Sequence, residues 1–198
     1  MNQNLAVTQT LSMTSGILNF NDNNLSINSS SIGGLFYTSG SWERLREVQY
    51  FSLPSIINAS NATFPFADRH QKGIRRVQLL GNTEREDLRI RFTEYLGAEY
   101  NSNFNDNDGT PILYRLFSYL SFFGMTTNSN PLELRISAAN LIVDQVDDLR
   151  IVATGYAAPG THLPGLDPSL LWARRSLTFS QLEGTNYTIG SFRTLSIL

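Results

Sequence analysis

The sequence predicts a mainly β chain, a β-sandwich or a small barrel, with one α-helix near residues 110–123 and an extended N-terminal arm. Three observations carry this. Apolar residues alternate with polar ones along much of the chain, the period of a half-buried strand. Turn-forming Asn, Asp, Gly and Pro clusters punctuate those runs. One stretch, 110–124, has helical spacing between a start and a stop signal. The chain divides on this reading into an arm, residues 1–41, and a single β-rich domain, residues 42–198.

In the arm, Leu5, Val7, Leu11 and Met13 alternate with Ala6, Thr8, Thr10 and Ser12. Asn21–Asn24 form a turn cluster between Ile17–Phe20 and Leu25–Asn28, which predicts a hairpin. Gly33-Gly34 breaks the chain again before Leu35–Tyr37. Trp42, Leu45, Val48 and Phe51 are spaced by three and predict a short helix ahead of Pro54. Ile74–Leu80 reads as a strand. Thr83 and Glu86 form a capping box that would start a helix. Leu88, Ile90 and Phe92 nevertheless alternate with Arg89, Arg91 and Thr93, and this favours a strand over Leu88–Tyr95.

The expected helix opens on Thr110 as a cap and Pro111 at its first position, where a missing N–H costs nothing. Leu113, Leu116, Phe117, Leu120 and Phe123 then share a face, and Gly124 ends the helix. Leu132–Ile136, Asn140–Val143 and Leu149–Thr154 read as strands, and Ala157–Pro168 as a long Pro/Gly loop. Leu177–Phe179 and Tyr187–Leu198 close the chain as strands. No repeat at a fixed period is evident.

Composition excludes several functions. There is no cysteine, so disulfides, thiolate metal sites and a cysteine nucleophile are absent together. No apolar run approaches the roughly 20 residues of a membrane span, and the first residues lack the basic start and apolar core of a secretory signal. Five N-x-S/T acceptors, at Asn24, Asn28, Asn58, Asn61 and Asn186, reflect an Asn/Ser/Thr-rich composition. The net charge of −2 gives no general attraction to nucleic acid. Its distribution is uneven: Asp22 is the one charged side chain up to Ser41, whereas residues 67–99 carry thirteen of the thirty-two charges. A neutral surface protects poorly against association, which suits an arm that pairs with a neighbour. Lys72 is the single lysine against fourteen arginines, and arginine favours paired interface sites.

No constellation meets the requirements of catalysis. Around Asn103–Gly109, an EF-hand counted from Gly109 would put Phe104 at the first ligand position and Arg115 at the last, so the motif fails at both ends. His70 and His162 are far apart in sequence. Glu84, Glu86 and Asp87 sit where acids commonly begin an element. No G-x-S-x-G elbow or phosphate-binding Gly-rich loop is present. The basic run Arg69–Arg76 reads as a solvated loop and strand start, with a phosphate-facing patch as the competing reading. The expectation is therefore a non-enzymatic protein with no cofactor, and no catalytic, cofactor-binding or metal-binding residue is assigned.

In its β-rich, Asn/Ser/Thr-rich, cysteine-free composition and its arm-plus-domain layout, the whole chain resembles virion structural proteins of tailed bacteriophages. The head-decoration (cement) and tail-tube or tail-connector classes fit equally. That resemblance implies a structural subunit of a virion, assembled in the host cytoplasm, whose partners are copies of itself and other virion proteins, with no membrane and no nucleic acid. The competing class is a carbohydrate- or receptor-binding β-sandwich of a tail fibre or adhesin. It would need exposed aromatics to take a glycan, and Tyr100, Phe104, His162 and Trp172 are the candidates.

Overall fold

The computed structural model describes residues 1–28, 34–125, 127–141, 143 and 145–192. The chain is mainly β, about 51% strand and 4% helix, built from several sheets, with no closed barrel among the described residues.

Its first part is a parallel coil. The strands β1 (Leu5–Val7), β2 (Leu11–Met13) and β3 (Ile17–Asn19) form one turn, and β4 (Leu25–Asn28), β5 (Leu35–Tyr37) and β6 (Ser41–Glu43) form the next. β7 (Val48–Phe51), β8 (Ile56–Ile57) and β9 (Thr63–Asp68) follow. From β4 on, each strand but β8 lies on its counterpart in the turn before. Leu5 registers with Leu25, Leu11 with Leu35, Ile17 with Ser41, Leu25 with Val48 and Trp42 with Phe66, all in parallel. One turn therefore takes 20 to 24 residues. The corner before β6 requires glycine: Gly40 has φ +104°, and a Cβ there would lie 2.6 Å from the Gly16 carbonyl oxygen of the turn below.

Two of the three coil faces run on into antiparallel sheets. β10 (Gly73–Asn82), β11 (Leu88–Thr93), β12 (Ala98–Glu99), β13 (Phe104–Asn105), β14 (Pro111–Ile112), β15 (Tyr114–Leu116) and β16 (Tyr119–Phe123) follow the coil. Next come β17 (Pro131–Ser137), a 3-10 turn (Val146–Asp148) and β18 (Leu149–Ala153). The chain then forms β19 (Thr161–Leu166), β20 (Trp172–Thr178), α1 (Phe179–Leu182) and β21 (Asn186–Ser191). One sheet has the order β1-β4-β7-β11-β16-β21-β15-β12, with β18 beside β21. The other runs β19-β20-β17-β10-β9-β6-β3, with β8 beside β10. The third coil face, β2-β5, stands alone.

The two sheets meet over an aromatic core. Trp42 packs edge-on against Phe20, Phe64 and Phe66 with ring centroids 6.0 to 6.5 Å apart, and Phe66 reaches Phe92 on the opposite sheet at 5.8 Å. Phe122 and Tyr187 repeat the edge-on contact farther along at 5.7 Å.

The expected helix at 110–123 is absent: the segment forms β14, β15 and β16. The physical reason is a shared spacing. Leu116 and Leu120, four apart, fit a helical face, but with Phe122 they also fit the two-residue period of a strand. These three are buried and Phe117 is exposed. Gly124 does take a positive φ, +97°, but it ends a strand. A Cβ there would meet the Asp87 carbonyl at 2.3 Å.

Several other expectations change for related reasons. Trp42 and Val48 lie in β6 and β7, because a spacing of three across a strand break mimics a helix. Ile17–Phe20 and Leu25–Asn28 do not pair as a hairpin, since each joins a different coil face. Ala157–Pro168 contains β19, which pairs with β20 across a register shift. Asn140, expected in a strand, sits in a turn with φ +64°; position 142 and residues 193–198, with Leu195 and Ile197, lie outside the described residues. The described residues of the arm, 1–28 and 34–41, are extended as expected, and their strands pair within the chain. The pairs β3-β6 and β4-β7 cross the expected boundary at 41/42. The strands expected around Ile74, Leu88, Leu132 and Leu149 are present as β10, β11, β17 and β18.

Strand and helix readings of residues 110–123 make different demands on stability. Leu120→Ala, at a position 2% exposed, is expected to cost about 2–5 kcal/mol in urea unfolding. Phe117→Ala, at a position 37% exposed, is expected to cost well under half as much. Equal losses would restore a common helical face.

Candidate functional site

The far edge of the longer sheet, at β12 and β15, carries a group of exposed aromatics. Across the sheet from β1 to β12 there are seven strand spacings, roughly 30 Å. Tyr95 is 53% exposed, Leu96 70%, Tyr100 60% and Phe117 37%. Tyr95 packs at a tilt against Tyr119 with ring centroids 6.2 Å apart, and Tyr100 against Tyr114 at 5.4 Å. The Arg115 guanidinium lies 5.8 Å over the Phe117 ring. Between them is an open cleft of about 330 Å³ lined by Tyr95, Leu96, Arg115, Phe117, Tyr119 and Thr154.

Local geometry explains why these side chains stay out of the core. β12 and β15 are short, and the Phe117 amide donates to the Gly97 carbonyl at 3.2 Å just beyond their pairing. That bond sets the Phe117 ring against Gly97 on the rim. Burial, with the neighbouring Tyr100 next in importance, pushes the Tyr114 phenol up to about 12, so it stays protonated and keeps its donor at neutral pH. Aromatic faces flanked by an arginine can stack on a sugar ring or on another protein's apolar side chains.

A second constellation is structural. Arg175, fully buried in β20, donates to both Asp106 carboxylate oxygens at 2.9 and 3.1 Å. It also bonds the carbonyls of Ile151, Ala158, Pro159 and Gly160. Arg150 donates to Asp106 at 3.0 Å and to Asp108 at 2.7 Å. Together they pin the loop around Asp106 to the segment ahead of β19. Burial pushes the Asp106 carboxyl up, but hydrogen bonds from Arg175, the Asn107 amide and Arg150 outweigh it and hold the group below its ordinary value. Both acids of the loop that invited a calcium reading thus have arginines as partners.

A third feature is a cleft of about 290 Å³ between the sheets, floored by Trp42, Phe66 and Phe92 and rimmed by Arg44, Arg46, Arg69 and Arg91. Three of those arginines are paired, with Asp22, Glu94 and Glu47 respectively for Arg44, Arg69 and Arg91, so the rim is largely self-neutralised.

The structure separates the residues singled out in the sequence. Tyr100 is on the exposed edge. Phe104 is half-buried in β13, and Trp172 is buried and so is no glycan platform. His162 is half-buried against Arg150, Asp106, Asp108 and Arg175; burial first, then Arg150, holds its pKa down. The basic run is divided between faces. Arg75 is buried on Asp68 at 3.1 Å, Arg69 pairs with Glu94, and Arg76 donates to the Tyr37 hydroxyl. Asp87 accepts the Ser52 amide at 2.8 Å and Glu86 the Glu84 amide at 3.0 Å, both backbone supports. Among the described residues, no three His, Asp or Glu side chains are grouped to hold a metal, and no helix is long and apolar enough to cross a membrane.

No protein-family model, no curated protein and no solved structure matches this chain.

The Asp106 lock gives a test of the loop it holds. Asp106→Asn leaves Arg175 buried without its anion, and an expected loss of about 3–5 kcal/mol follows. Because the folded pKa of Asp106 is depressed, its stabilisation is present above the unfolded value near 3.8 and is lost as pH falls through the folded one. Urea midpoints measured from pH 7 to pH 2.5 should fall steeply below about pH 4 in the parent chain and less steeply in Asp106→Asn.

Proposed function

We propose that this protein is a non-enzymatic structural subunit of a phage-like particle, a head-decoration or tail component that assembles through β-rich contacts and its N-terminal segment. The observation that carries the reading is the aromatic edge. Tyr95, Leu96 and Phe117 are exposed together beside Arg115. Tyr and Arg are enriched among the residues that carry most of the energy of protein contacts, and Tyr buries a large area at small conformational cost. The buried charges are committed to internal ion pairs, as in Asp106–Arg175 and Asp68–Arg75, and so serve the fold.

A second reading uses the same cleft differently. The Tyr95–Tyr119 pair and Phe117 form a slot that a sugar ring could stack in, which favours a glycan- or receptor-binding module of a tail fibre or adhesin.

One pair of measurements separates them. In light scattering the parent chain should form oligomers that shift toward monomer in the double variant Leu96→Ser, Phe117→Ser, with circular dichroism unchanged. A parent that stays a single chain at all concentrations overturns the first reading. If that monomer is retained by immobilised glycans and Tyr95→Ala abolishes retention, the second reading takes its place.

A further inference from the structure

The cleft of about 290 Å³ between the sheets has two kinds of lining. Its floor is apolar: Trp42, Leu45 and Phe66 are buried there, and Phe92 is half-buried. Its rim is charged, and three acids answer four arginines. Asp22 pairs with Arg44, Glu94 with Arg69 and Glu47 with Arg91. Arg46, exposed on the same rim, has no carboxylate partner among the described residues. The cleft is therefore left with one positive charge, and that charge sits on Arg46.

The ion pairs give this rim a fixed shape. Glu94 first, and Asp22 after it, raise the pKa of Arg69. The coil corner that carries Asp22 is thus held electrostatically to the strand end that carries Arg69. Polar groups remain unused around this frame. Arg44 takes one Asp22 carboxylate oxygen and leaves the other free, and the Thr93 hydroxyl has no partner among the described residues. At the floor, the buried Trp42 indole N–H has no acceptor, although such donors ordinarily find one. The cleft combines an apolar floor, one free cation, unused acceptors and an unmet donor.

We infer that this cleft binds an acidic sugar, one uronic-acid residue of a glycan. Its carboxylate meets Arg46, its ring lies toward Phe92, and its hydroxyls donate to Asp22 and Thr93. Size fits a single residue, because the volume lies near the lower limit of ligand pockets, about 300 Å³. The open mouth leaves room for the rest of a glycan. Charge fits a carboxylate, whose single negative charge balances Arg46. A phosphate monoester, at about −1.5 to −2 near pH 7, would exceed it. An alkyl or aryl carboxylate would cover Asp22 and Thr93 without donating to either, and an acceptor stripped of water and left unpaired is costly. A sugar hydroxyl both donates and accepts, so it suits this lining. The site uses none of Tyr95, Phe117 or Arg115. It is separate from both uses of the aromatic edge, and either can fail alone.

The test titrates glucuronate and galacturonate into the full chain, with glucose and galactose as neutral controls and phenylacetate as an aryl carboxylate. Binding is read by saturation-transfer NMR and by tryptophan fluorescence, since Trp42 lies in the cleft. At least one uronate should bind saturably and shift the fluorescence, and its neutral counterpart should bind roughly ten-fold more weakly or less. Arg46→Gln, at an exposed position, should weaken the uronate by a similar factor with circular dichroism unchanged. Tyr95→Ala should leave uronate binding as in the parent chain. No saturable binding of either uronate overturns the inference. Equal binding of the neutral sugar, tighter binding of phenylacetate, or uronate binding that survives Arg46→Gln overturns it as well. Uronate binding lost in Tyr95→Ala would also overturn it, by moving the ligand to the aromatic edge.

Discussion

The fold depends on the parallel register of the coil turns, and most directly on the column Leu18–Trp42–Phe66. Strands of three residues have too few hydrogen bonds to persist alone. They persist here because each lies on a counterpart that places like side chains one above another. Trp42 is the hinge of this order. Its ring touches Phe20 in the first turn of the coil and Phe64 and Phe66 in β9, and Phe66 carries the contact to Phe92 on the other sheet. Coil and sandwich therefore share one core.

That continuity gives the molecule two unlike ends. At one, backbone edges and half-buried aliphatics are exposed; at the other, aromatic rings and Arg115. Between them three arginines, Arg75, Arg150 and Arg175, are buried. Arg175 and Arg150 fix the Asp106 loop, and Arg75 with Asp68 ties the start of β10 to the Ala139 carbonyl. A buried arginine with a carboxylate partner contributes mainly by fixing one geometry, since desolvation offsets much of the attraction. Such pairs hold the strands they join in one arrangement.

Much of the strand content was legible in the sequence because alternation survives wherever one face is buried. β11 and β17 show it. The helix expected at 110–123 failed because Leu116 and Leu120 satisfy two periods at once, and the alternation in β16 is between buried and half-buried residues of similar type. The coil was visible but unread: Thr14-Ser15-Gly16 recurs as Thr38-Ser39-Gly40, 24 residues later, at equivalent corners. Unequal turn lengths hid the repeat. Of the aromatic edge, Tyr100 is identifiable from sequence; Phe117 and Tyr119 fall in the segment whose spacing predicts a helix, and Trp172 is buried by sheet pairing that local pattern does not encode. The Asp106–Arg175 lock joins residues 69 apart, with no local signal.

Cross-linking tests the parallel coil most directly, because the chain has no cysteine of its own. Ser12 and Phe36 are exposed register partners on β2 and β5, close enough for a disulfide between neighbouring strands. The pair Ser12→Cys, Phe36→Cys should oxidise within one chain, at low protein concentration and without loss of folding. The pair Asn19→Cys, Ser26→Cys, opposed only if Ile17–Phe20 and Leu25–Asn28 formed a hairpin, should remain reduced. The reverse outcome would contradict the coil and the shared core built on it.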